Sequence, residues 1–283
     1  MHKIVLESKS ALKPTKIIQI SDSHVIAADK NDGELYKEEK ARKLHFERET
    51  LLTLGEVLYA EEELMYAIEY ARGADLTVFT GDIVEFATEA NVRKMMDCFS
   101  KCGDYLYTFG NHDYITWWDR EETPEEQHVT HRHLFAKYIK NDLEFAVKRV
   151  NNVNIVALDN SLSQFTERQY EELKKVLSED RDAILFMHVP LYHPNLSLIG
   201  LKTLNRVVFG CGSEYNLESP LYPTETTRKV INLIKENHEK VLALMTGHVH
   251  FAGQIRYYEN IIECICPPTY LHEFFEIEIK CKK

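Results

Sequence analysis

Short apolar runs alternate with segments of helical periodicity along most of this chain. Five runs predict buried strands, because each is apolar over several consecutive positions and is followed by polar residues. They lie at residues 15–21, 76–80, 105–109, 183–187 and 241–245. Two further strands are predicted near the C-terminus, at residues 261–266 and 274–279.

The segments between these runs predict helices and one hairpin. A helical pattern runs over residues 45–72 and stops at Gly73, and others lie around Met95 to Phe99 and at 228–235. Thr166 and Gln169 form a capping box that predicts a helix start. Two β-rich runs within 145–159 flank Asn151-Asn152, which is typical of a hairpin. Strands alternating with helices predict an α/β fold with antiparallel additions.

The polar clusters that could carry chemistry follow directly after the five buried strands. In open α/β sheets, ligands bind beyond the carboxyl ends of the strands, so we expect these side chains to converge at one edge. They are Asp22 and His24; Asp82; Asn111, His112 and Asp113; His188; and His248 and His250.

Seven of these residues form a donor set of two Asp, one Asn and four His, with no thiolate. Oxygen and imidazole donors suit Mn²⁺, Fe²⁺ or Zn²⁺ better than Ca²⁺ or Mg²⁺. Seven donors exceed the needs of one site and fit two ions about 3.5–4 Å apart that share a carboxylate. Each motif alone is weak evidence, since Asp22-Ser23-His24 could equally be a turn. The ordered set of five carries the prediction.

The order DSH, GDIVE, GNHD, FMH and GHVH resembles the five motifs of the calcineurin-like metallophosphoesterase superfamily. The motifs extend from residue 22 to residue 250, so the resemblance covers most of the chain. It implies two packed mixed β-sheets flanked by helices, a four-layer α-β-β-α sandwich. We expect residues 1–283 to form a single metallophosphoesterase domain.

The resemblance also implies a role for each motif residue. One divalent ion would be held by Asp22, His24, Asp82 and His250, and the other by Asp82, Asn111, His188 and His248, with Asp82 bridging. Asn111 and His112 would contact the substrate phosphate, and His112 would protonate the leaving oxygen. Asp113 would orient the His112 imidazole.

The implied activity is hydrolysis of phosphoesters by in-line attack of a hydroxide that bridges the two metal ions. Phe86 stands where the phosphoprotein phosphatases have a phosphate-binding arginine, and Glu85 stands where purple acid phosphatases have a tyrosine ligand. Both departures favour a phosphodiesterase or phosphomonoesterase acting on a small substrate, with nucleotides among the candidates.

Two long segments, at about 25–41 and 190–223, are expected to form loops that shape the substrate pocket. The second contains Tyr192 and His193 as candidate substrate contacts, together with other groups that could bind or stack on a leaving group, Asn195, Phe209 and Tyr215. His128, His131 and His133 lie among charged neighbours and are interpreted as a solvated helix face.

Composition limits the partners. The chain has 34 Lys and Arg against 45 Asp and Glu, a net charge of −11, which makes nucleic acid an unfavourable partner. Neither a membrane-spanning run nor a signal-peptide pattern is found, so a cytoplasmic protein without a membrane partner is expected. Six cysteines without CxxC spacing indicate reduced thiols, although a zinc site from Cys98, Cys102, Cys264 and Cys266 is an alternative.

Two other functions compete with the small-molecule hydrolase. The first is a catalytically silent scaffold of the same fold that binds a protein partner; it is disfavoured because every ligand position and His112 are filled. The second is a nuclease using the same chemistry, which salt-dependent DNA binding would reveal. The identity of any protein partner is left open.

Overall fold

Two mixed β-sheets lie at the centre of the computed structural model, which describes residues 1–114, 122–215 and 221–282. The first sheet has the strand order β1 (His2–Ser8), β11 (Phe275–Cys281), β2 (Thr15–Ile20), β3 (Leu76–Phe79) and β4 (Tyr105–Tyr107). The second has the order β5 (Phe145–Val150), β6 (Val153–Leu158), β7 (Ala183–Phe186), β8 (Val241–Thr246), β10 (Ile261–Ile265) and β9 (Gly253–Tyr258).

The central strands of each sheet are parallel, and antiparallel pairs are added around them. Strands β2, β3 and β4 are parallel, as are β6, β7, β8 and β10. Strand β11 runs antiparallel to β2, while β5 and β9 are antiparallel edge strands of the second sheet. The parallel arrangement brings the ends of β2, β3, β4, β7 and β8 to the site described below.

The helices cover the outer faces of both sheets. They are α1 (Leu35–Leu54), α2 (Ala60–Tyr70), α3 (Glu89–Phe99), α4 (Pro124–Phe135), α5 (Glu167–Ser178), α6 (Pro194–Leu204) and α7 (Glu225–Glu236), with 3₁₀ turns at Lys30–Asp32 and Thr269–Leu271. Residues of α2, α3 and α4 pack on the first sheet, and those of α5 and α7 on the second.

A third apolar layer lies between the sheets. Ile17 and Val78 of the first sheet pack there with Ile184, Phe186 and Met245 of the second. Burial of both faces explains why these strands are continuous apolar runs rather than alternating ones. The predicted four-layer α/β sandwich of two mixed sheets flanked by helices is confirmed.

Several local predictions also agree with the structure. Asn151 and Asn152 have φ values of 46° and 71°, the left-handed conformations that a two-residue hairpin turn needs. The capping box is present, since the Thr166 side chain accepts from the Gln169 backbone and the Gln169 side chain from that of Thr166.

The helix predicted at 45–72 is two helices. Helix α1 begins earlier, at Leu35, and ends at Gly55, whose φ of 83° reverses the chain before α2. The segment predicted as a loop at 25–41 therefore contains a 3₁₀ turn and the start of α1, and the 190–223 segment contains α6. Within the latter, residues 216–220 lie outside the described part of the chain.

Two predictions about other groups can be compared with the structure. All six cysteines are unpaired, and Cys98 lies in a different apolar cluster from Cys264 and Cys266, so a shared zinc site is not supported. Over the described ranges, no helix has both the length and the apolar character required to cross a membrane.

Candidate metal centre

The seven predicted ligands meet at one place in the fold. Their donor atoms form two overlapping groups. In the first, atoms of Asp22, His24, Asp82 and His250 lie within 4.8 Å of one another, and in the second the same holds for Asp82, His188 and His248. Asn111 joins the second group, because its Oδ1 lies 3.3 Å from His188 Nε2. Asp82 belongs to both groups.

The donor atoms within each group lie close enough to bind a common ion. His24 Nε2 lies 3.0 Å from His250 Nε2, and His188 Nε2 lies 3.1 Å from His248 Nδ1. Asp82 Oδ2 is 3.3 Å from His188 Nε2 and 3.9 Å from His24 Nε2. Four imidazoles and two carboxylates facing one another at this spacing match the donor set that a pair of transition-metal ions uses.

Hydrogen bonds on the far side of three histidines turn their lone pairs inward. His188 Nδ1 donates to the Thr80 carbonyl at 2.8 Å, and His24 Nδ1 lies 2.6 Å from Glu85 Oε2. His250 Nδ1 lies 3.0 Å from the Tyr270 hydroxyl. With a proton held on Nδ1, each ring presents the free lone pair of Nε2 to the centre, as metal-ligating histidines do. The residues therefore fit two metal ions.

Opposed charges set the ionisation of these groups. Burial would raise the pKa of Asp82, but the neighbouring histidines outweigh it and hold the pKa well below its usual range. Burial would lower the pKa of His188, but the charge of Asp82 raises it to about 9, so a metal ion bound at Nε2 would displace a proton from this ring. Burial and the charge of His188 lower the pKa of His248 to about 3, which keeps this ring neutral.

Five of the seven ligand residues have left-handed backbone conformations. The φ values are 52° for Asp22, 49° for His24, 50° for Asp82, 71° for His248 and 57° for His250. Such conformations cost about 1–3 kcal/mol each in non-glycine residues and persist only where surrounding contacts enforce them. One such contact is the hydrogen bond from the Asp22 N–H to the Gly81 carbonyl at 3.0 Å.

Two motif glycines allow the ligand loops to approach each other. A Cβ atom at Gly110 would lie 2.2 Å from Asp82 Oδ1, and one at Gly247 would lie 2.5 Å from Asp22 Oδ2. The absence of a side chain at both positions therefore leaves room for the two carboxylates.

His112 lies beside the cluster with its ring 17% exposed. The backbone N–H of His112 donates to Asp82 Oδ1 at 2.7 Å, and the ring atom Nδ1 lies 3.1 Å from Glu85 Oε2. Burial would lower the pKa of His112, but the charges of Asp82 and Glu85 outweigh it and raise the pKa to about 8.

Comparison with known proteins agrees with this geometry. Residues 15–252 match the family model described as calcineurin-like phosphoesterase. The chain belongs to this family. It is accordingly a metal-dependent phosphoric ester hydrolase. The family and the two donor groups imply a dimetal centre. No curated protein matches the chain in a sequence search.

Solved structures resemble the phosphoesterase in fold. A dimetal phosphatase from Danio rerio is 13% identical with a TM-score of 0.55, and the match covers 92% of this chain and 91% of the fish protein. A purple acid phosphatase from yellow lupin (Lupinus luteus) seeds is 14% identical with a TM-score of 0.55. That match covers 92% of this chain but only 44% of the lupin protein.

Asp113 makes hydrogen bonds with backbone groups of two motif loops. Its carboxylate accepts N–H groups of the two motif loops, from Asp82, Ile83, Val84 and Gly110 at 2.8–3.1 Å. Asp113 thus joins the loops that carry the bridging carboxylate and His112. Glu85 provides a carboxylate 3.1 Å from His112 Nδ1, and the role of Asp113 in orienting the His112 ring stays a prediction.

Glu85 is a site residue of the phosphoesterase whose role was not predicted. It is fully buried and contacts His24, His112 and Arg42, whose Nε lies 2.5 Å from Glu85 Oε1. Burial would raise the pKa of Glu85, but hydrogen bonding with His112 and His24 holds the pKa well below its usual range. The GDIVE motif contains the signal, since its fifth residue carries a charge directly after the apolar pair Ile83 and Val84.

A cavity of about 380 Å³ opens beside His112. Its walls include the other exposed faces of the metal centre, at Asn111, His248 and His250, and residues 206–209 after α6. Tyr192 and His193 lie before α6, where His193 caps the helix by accepting the Asn195 N–H. Their role as substrate contacts stays a prediction.

The histidines of α4 do not form the solvated helix face that was expected, because two of the three make hydrogen bonds with groups outside the helix. His128 Nε2 lies 2.6 Å from Asp159 Oδ2, and His131 Nδ1 donates to the Tyr114 carbonyl at 2.6 Å. His128 and His131 are half-buried, and His133 is exposed. His128 therefore joins α4 to the segment after β6, and His131 joins α4 to Tyr114, which follows the GNHD motif.

Proposed function

We propose that this phosphoesterase hydrolyses small phosphate monoesters or diesters at a pair of Mn²⁺, Fe²⁺ or Zn²⁺ ions. The observation that carries the proposal is the pair of overlapping donor groups that share Asp82 and adjoin His112 in a small cavity. One ion would be held by Asp22, His24, Asp82 and His250, and the other by Asp82, Asn111, His188 and His248. When bound, such ions stabilise negative charge on a phosphate and make water more acidic.

His112 is the proposed general acid. Glu85 beside Nδ1 favours a proton there, which leaves the Nε2 proton for the oxygen of the departing alcohol. An alkoxide is a poor leaving group unless it is protonated, so this transfer lowers the barrier to breaking the P–O bond. Asn111, next in the chain and on the same cavity wall, would orient the phosphate beside His112.

The dimensions of the cavity favour a small substrate. A volume of about 380 Å³ lies at the lower end of the range for small-molecule pockets. Phe86 is 1% exposed and packs with Ile26, Phe46 and Tyr270, so this position supplies no phosphate-binding group. Both features support a small ester rather than a phosphoprotein.

Metal removal and restoration test the proposal. Purified protein would be stripped with a chelator and assayed on p-nitrophenyl phosphate and bis-p-nitrophenyl phosphate before and after addition of Mn²⁺, Fe²⁺ or Zn²⁺. Hydrolysis should disappear and return, with about two ions per chain by elemental analysis. Asp82→Asn serves as the matched variant that should not recover. Failure of every ion to restore either activity contradicts the proposal, and salt-sensitive cleavage of duplex DNA in preference to both esters would favour a nuclease.

A further inference from the structure

One wall of the catalytic cavity is formed by residues 206–209, which we name the rim loop. Arg206, Val207, Val208 and Phe209 line the cavity that His112 also lines. Any substrate whose phosphate lies beside His112 and whose remaining atoms fill this cavity therefore contacts the rim loop.

The rim loop is fixed to the metal-binding loop by apolar packing. Val208 is buried and clusters with Leu196 of α6 and with Val249, which lies between the ligands His248 and His250. Asn205 ends α6 in a left-handed conformation with a φ of 53°, which directs the chain back toward the cavity. The positions of Arg206 and Phe209 relative to the metal centre are thus set by the fold.

Arg206 provides a positive charge that the described part of the chain does not neutralise. The side chain is exposed, and among the described residues no carboxylate forms an ion pair with it. Most other described arginines of this acidic protein do have such partners, for example Arg168 and Arg228. A guanidinium that stays charged at all ordinary pH values and faces a phosphate-binding cavity is suited to a bidentate contact with a phosphate.

Phe209 provides an aromatic surface next to this charge. Phe209 is 43% exposed and Tyr215 is 80% exposed, and their rings stack with centroids 5.1 Å apart and an interplanar angle of 27°. Exposing two stacked rings to water is unfavourable, whereas a planar base could stack on the free face of such a pair.

Building on the proposed function, we propose that the substrate is a nucleotide that carries a second phosphate besides the one hydrolysed. Arg206 binds the phosphate that is retained, and Phe209, supported by Tyr215, stacks on the base. Because Arg206 and Phe209 are three residues apart in one loop, the base and the retained phosphate are neighbours, as in a nucleoside 3′,5′-bisphosphate. Water adds to the phosphorus, the ester P–O bond breaks, and the released nucleoside oxygen takes a proton.

Three substrates separate the two contacts. Adenosine 3′,5′-bisphosphate has the base and the second phosphate, adenosine 3′-monophosphate has only the base, and glycerol 2-phosphate has neither. For the wild-type enzyme we expect kcat/KM to fall in that order.

Substitutions of Arg206 test the phosphate contact. Arg206→Ala should lower kcat/KM about 10- to 100-fold for the bisphosphate, mainly through KM, and change the other two substrates less than about 3-fold. Arg206→Lys should recover part of the loss. Arg256→Ala, which removes the same charge from edge strand β9, is the matched control and should have no effect.

Substitutions of Phe209 test the stacking contact. Phe209→Leu should lower kcat/KM about 5- to 50-fold for both adenosine substrates and leave glycerol 2-phosphate unchanged, while Phe209→Tyr should retain activity. Calorimetric titration with the product adenosine 5′-monophosphate should show the weaker binding directly. Both side chains are exposed, so folding of the variants is expected to be unaffected.

The outcomes distinguish this inference from the proposed function. An equal loss on all three substrates in Arg206→Ala would mean that Arg206 contacts the hydrolysed phosphate, and no loss on any would mean that it contacts neither; both overturn the inference. Hydrolysis of glycerol 2-phosphate with no preference for the adenosine substrates also overturns it but leaves the proposed function intact. Hydrolysis of no phosphoester at all contradicts the proposed function itself.

Discussion

Glu85 connects two histidines that have different tasks. Its Oε2 atom lies 2.6 Å from Nδ1 of the candidate ligand His24 and 3.1 Å from Nδ1 of the candidate acid His112. One buried carboxylate therefore favours the Nδ1-protonated form of both rings, which leaves the Nε2 atom of each for the metal centre or the substrate. Arg42 contacts the other oxygen of the same carboxylate and offsets its charge.

Replacement of His112 should remove the general acid without emptying the metal centre. His112→Ala should lower kcat about 10²- to 10⁴-fold, the range typical of general acid catalysis, while elemental analysis still finds two ions. The loss should be smaller for p-nitrophenyl phosphate than for an alkyl phosphate, because nitrophenolate leaves without a proton. Near-normal turnover of the alkyl phosphate would remove His112 from the mechanism.

Arg42 is expected to position the catalytic groups through Glu85. Its side chain is 36% exposed, so Arg42→Ala should fold, but Glu85 would lose the partner that fixes its second oxygen. We expect kcat to fall about 10-fold with KM and metal content little changed, and Arg42→Lys to recover part of the loss. Arg48→Ala, an exposed arginine of the same helix α1, is the control. An equal fall in both alanine variants would show that the effect is not specific to the Glu85 contact.

The ligand residues could be predicted from the sequence, whereas the contacts that orient them could not. Each candidate ligand follows a buried strand, and the end of a strand is a visible feature of a sequence. Arg42 precedes Glu85 by 43 positions and reaches it only because α1 packs over the GDIVE loop. The backbone contacts of Asp113 could not be predicted for a similar reason, since nothing in GNHD indicates that its carboxylate faces backbone N–H groups.

At the scale of elements, burial decided which strands could be predicted. Strands β3 and β7 are buried at every position and read as uninterrupted apolar runs. Strand β1 alternates exposed and less exposed residues with charged ones among them, so its sequence lacked the signal of a buried strand. The sequence predicts one helix in place of α1 and α2, because apolar positions continue across Gly55 and the left-handed conformation that separates the two helices does not change the periodicity.

Strand β10 carries a buried acid that should make stability depend on pH. Burial raises the pKa of Glu263 to about 8; its Oε1 accepts the Leu191 N–H, and its Oε2 has no hydrogen-bond partner within the described part of the chain. Between its ordinary pKa and pH 8, the folded chain holds a proton that the unfolded chain has lost. Stability contributed by this site therefore falls as pH rises, by about 1.4 kcal/mol per pH unit.

Glu263→Gln tests this dependence because glutamine imitates the neutral acid and can still accept the Leu191 N–H. The free energy of unfolding, measured by urea denaturation between pH 5 and 8.5, should fall less steeply with pH in the variant than in the wild type. Glu171→Gln, an exposed residue of α5, should leave the slope unchanged. Equal slopes in all three proteins would mean that Glu263 is ionised in the folded state.

At the scale of the whole molecule, the metal centre joins the two sheets. Asp22 and Asp82 follow strands of the first sheet, whereas His188, His248 and His250 follow strands of the second. Ions held by both sets would link the sheets at one edge, in addition to the apolar layer between them. Such a link would add to the single-domain organisation expected for residues 1–283, which stays a prediction.

Metal binding should accordingly stabilise the whole fold. Five ligand residues keep left-handed backbones in the folded chain only, so the unfolded chain does not offer the same site. Ligand binding to the folded state alone contributes about 2.7 kcal/mol at a concentration 100-fold above Kd, and for a chain of this size that raises Tm by about 4–5 °C. Calorimetry of chelator-treated protein with and without added Mn²⁺ measures the shift. Because Asp82 contributes to both donor groups, Asp82→Asn should lose most of it, whereas a shift that is unchanged in this variant would place the stabilising ions elsewhere in the molecule.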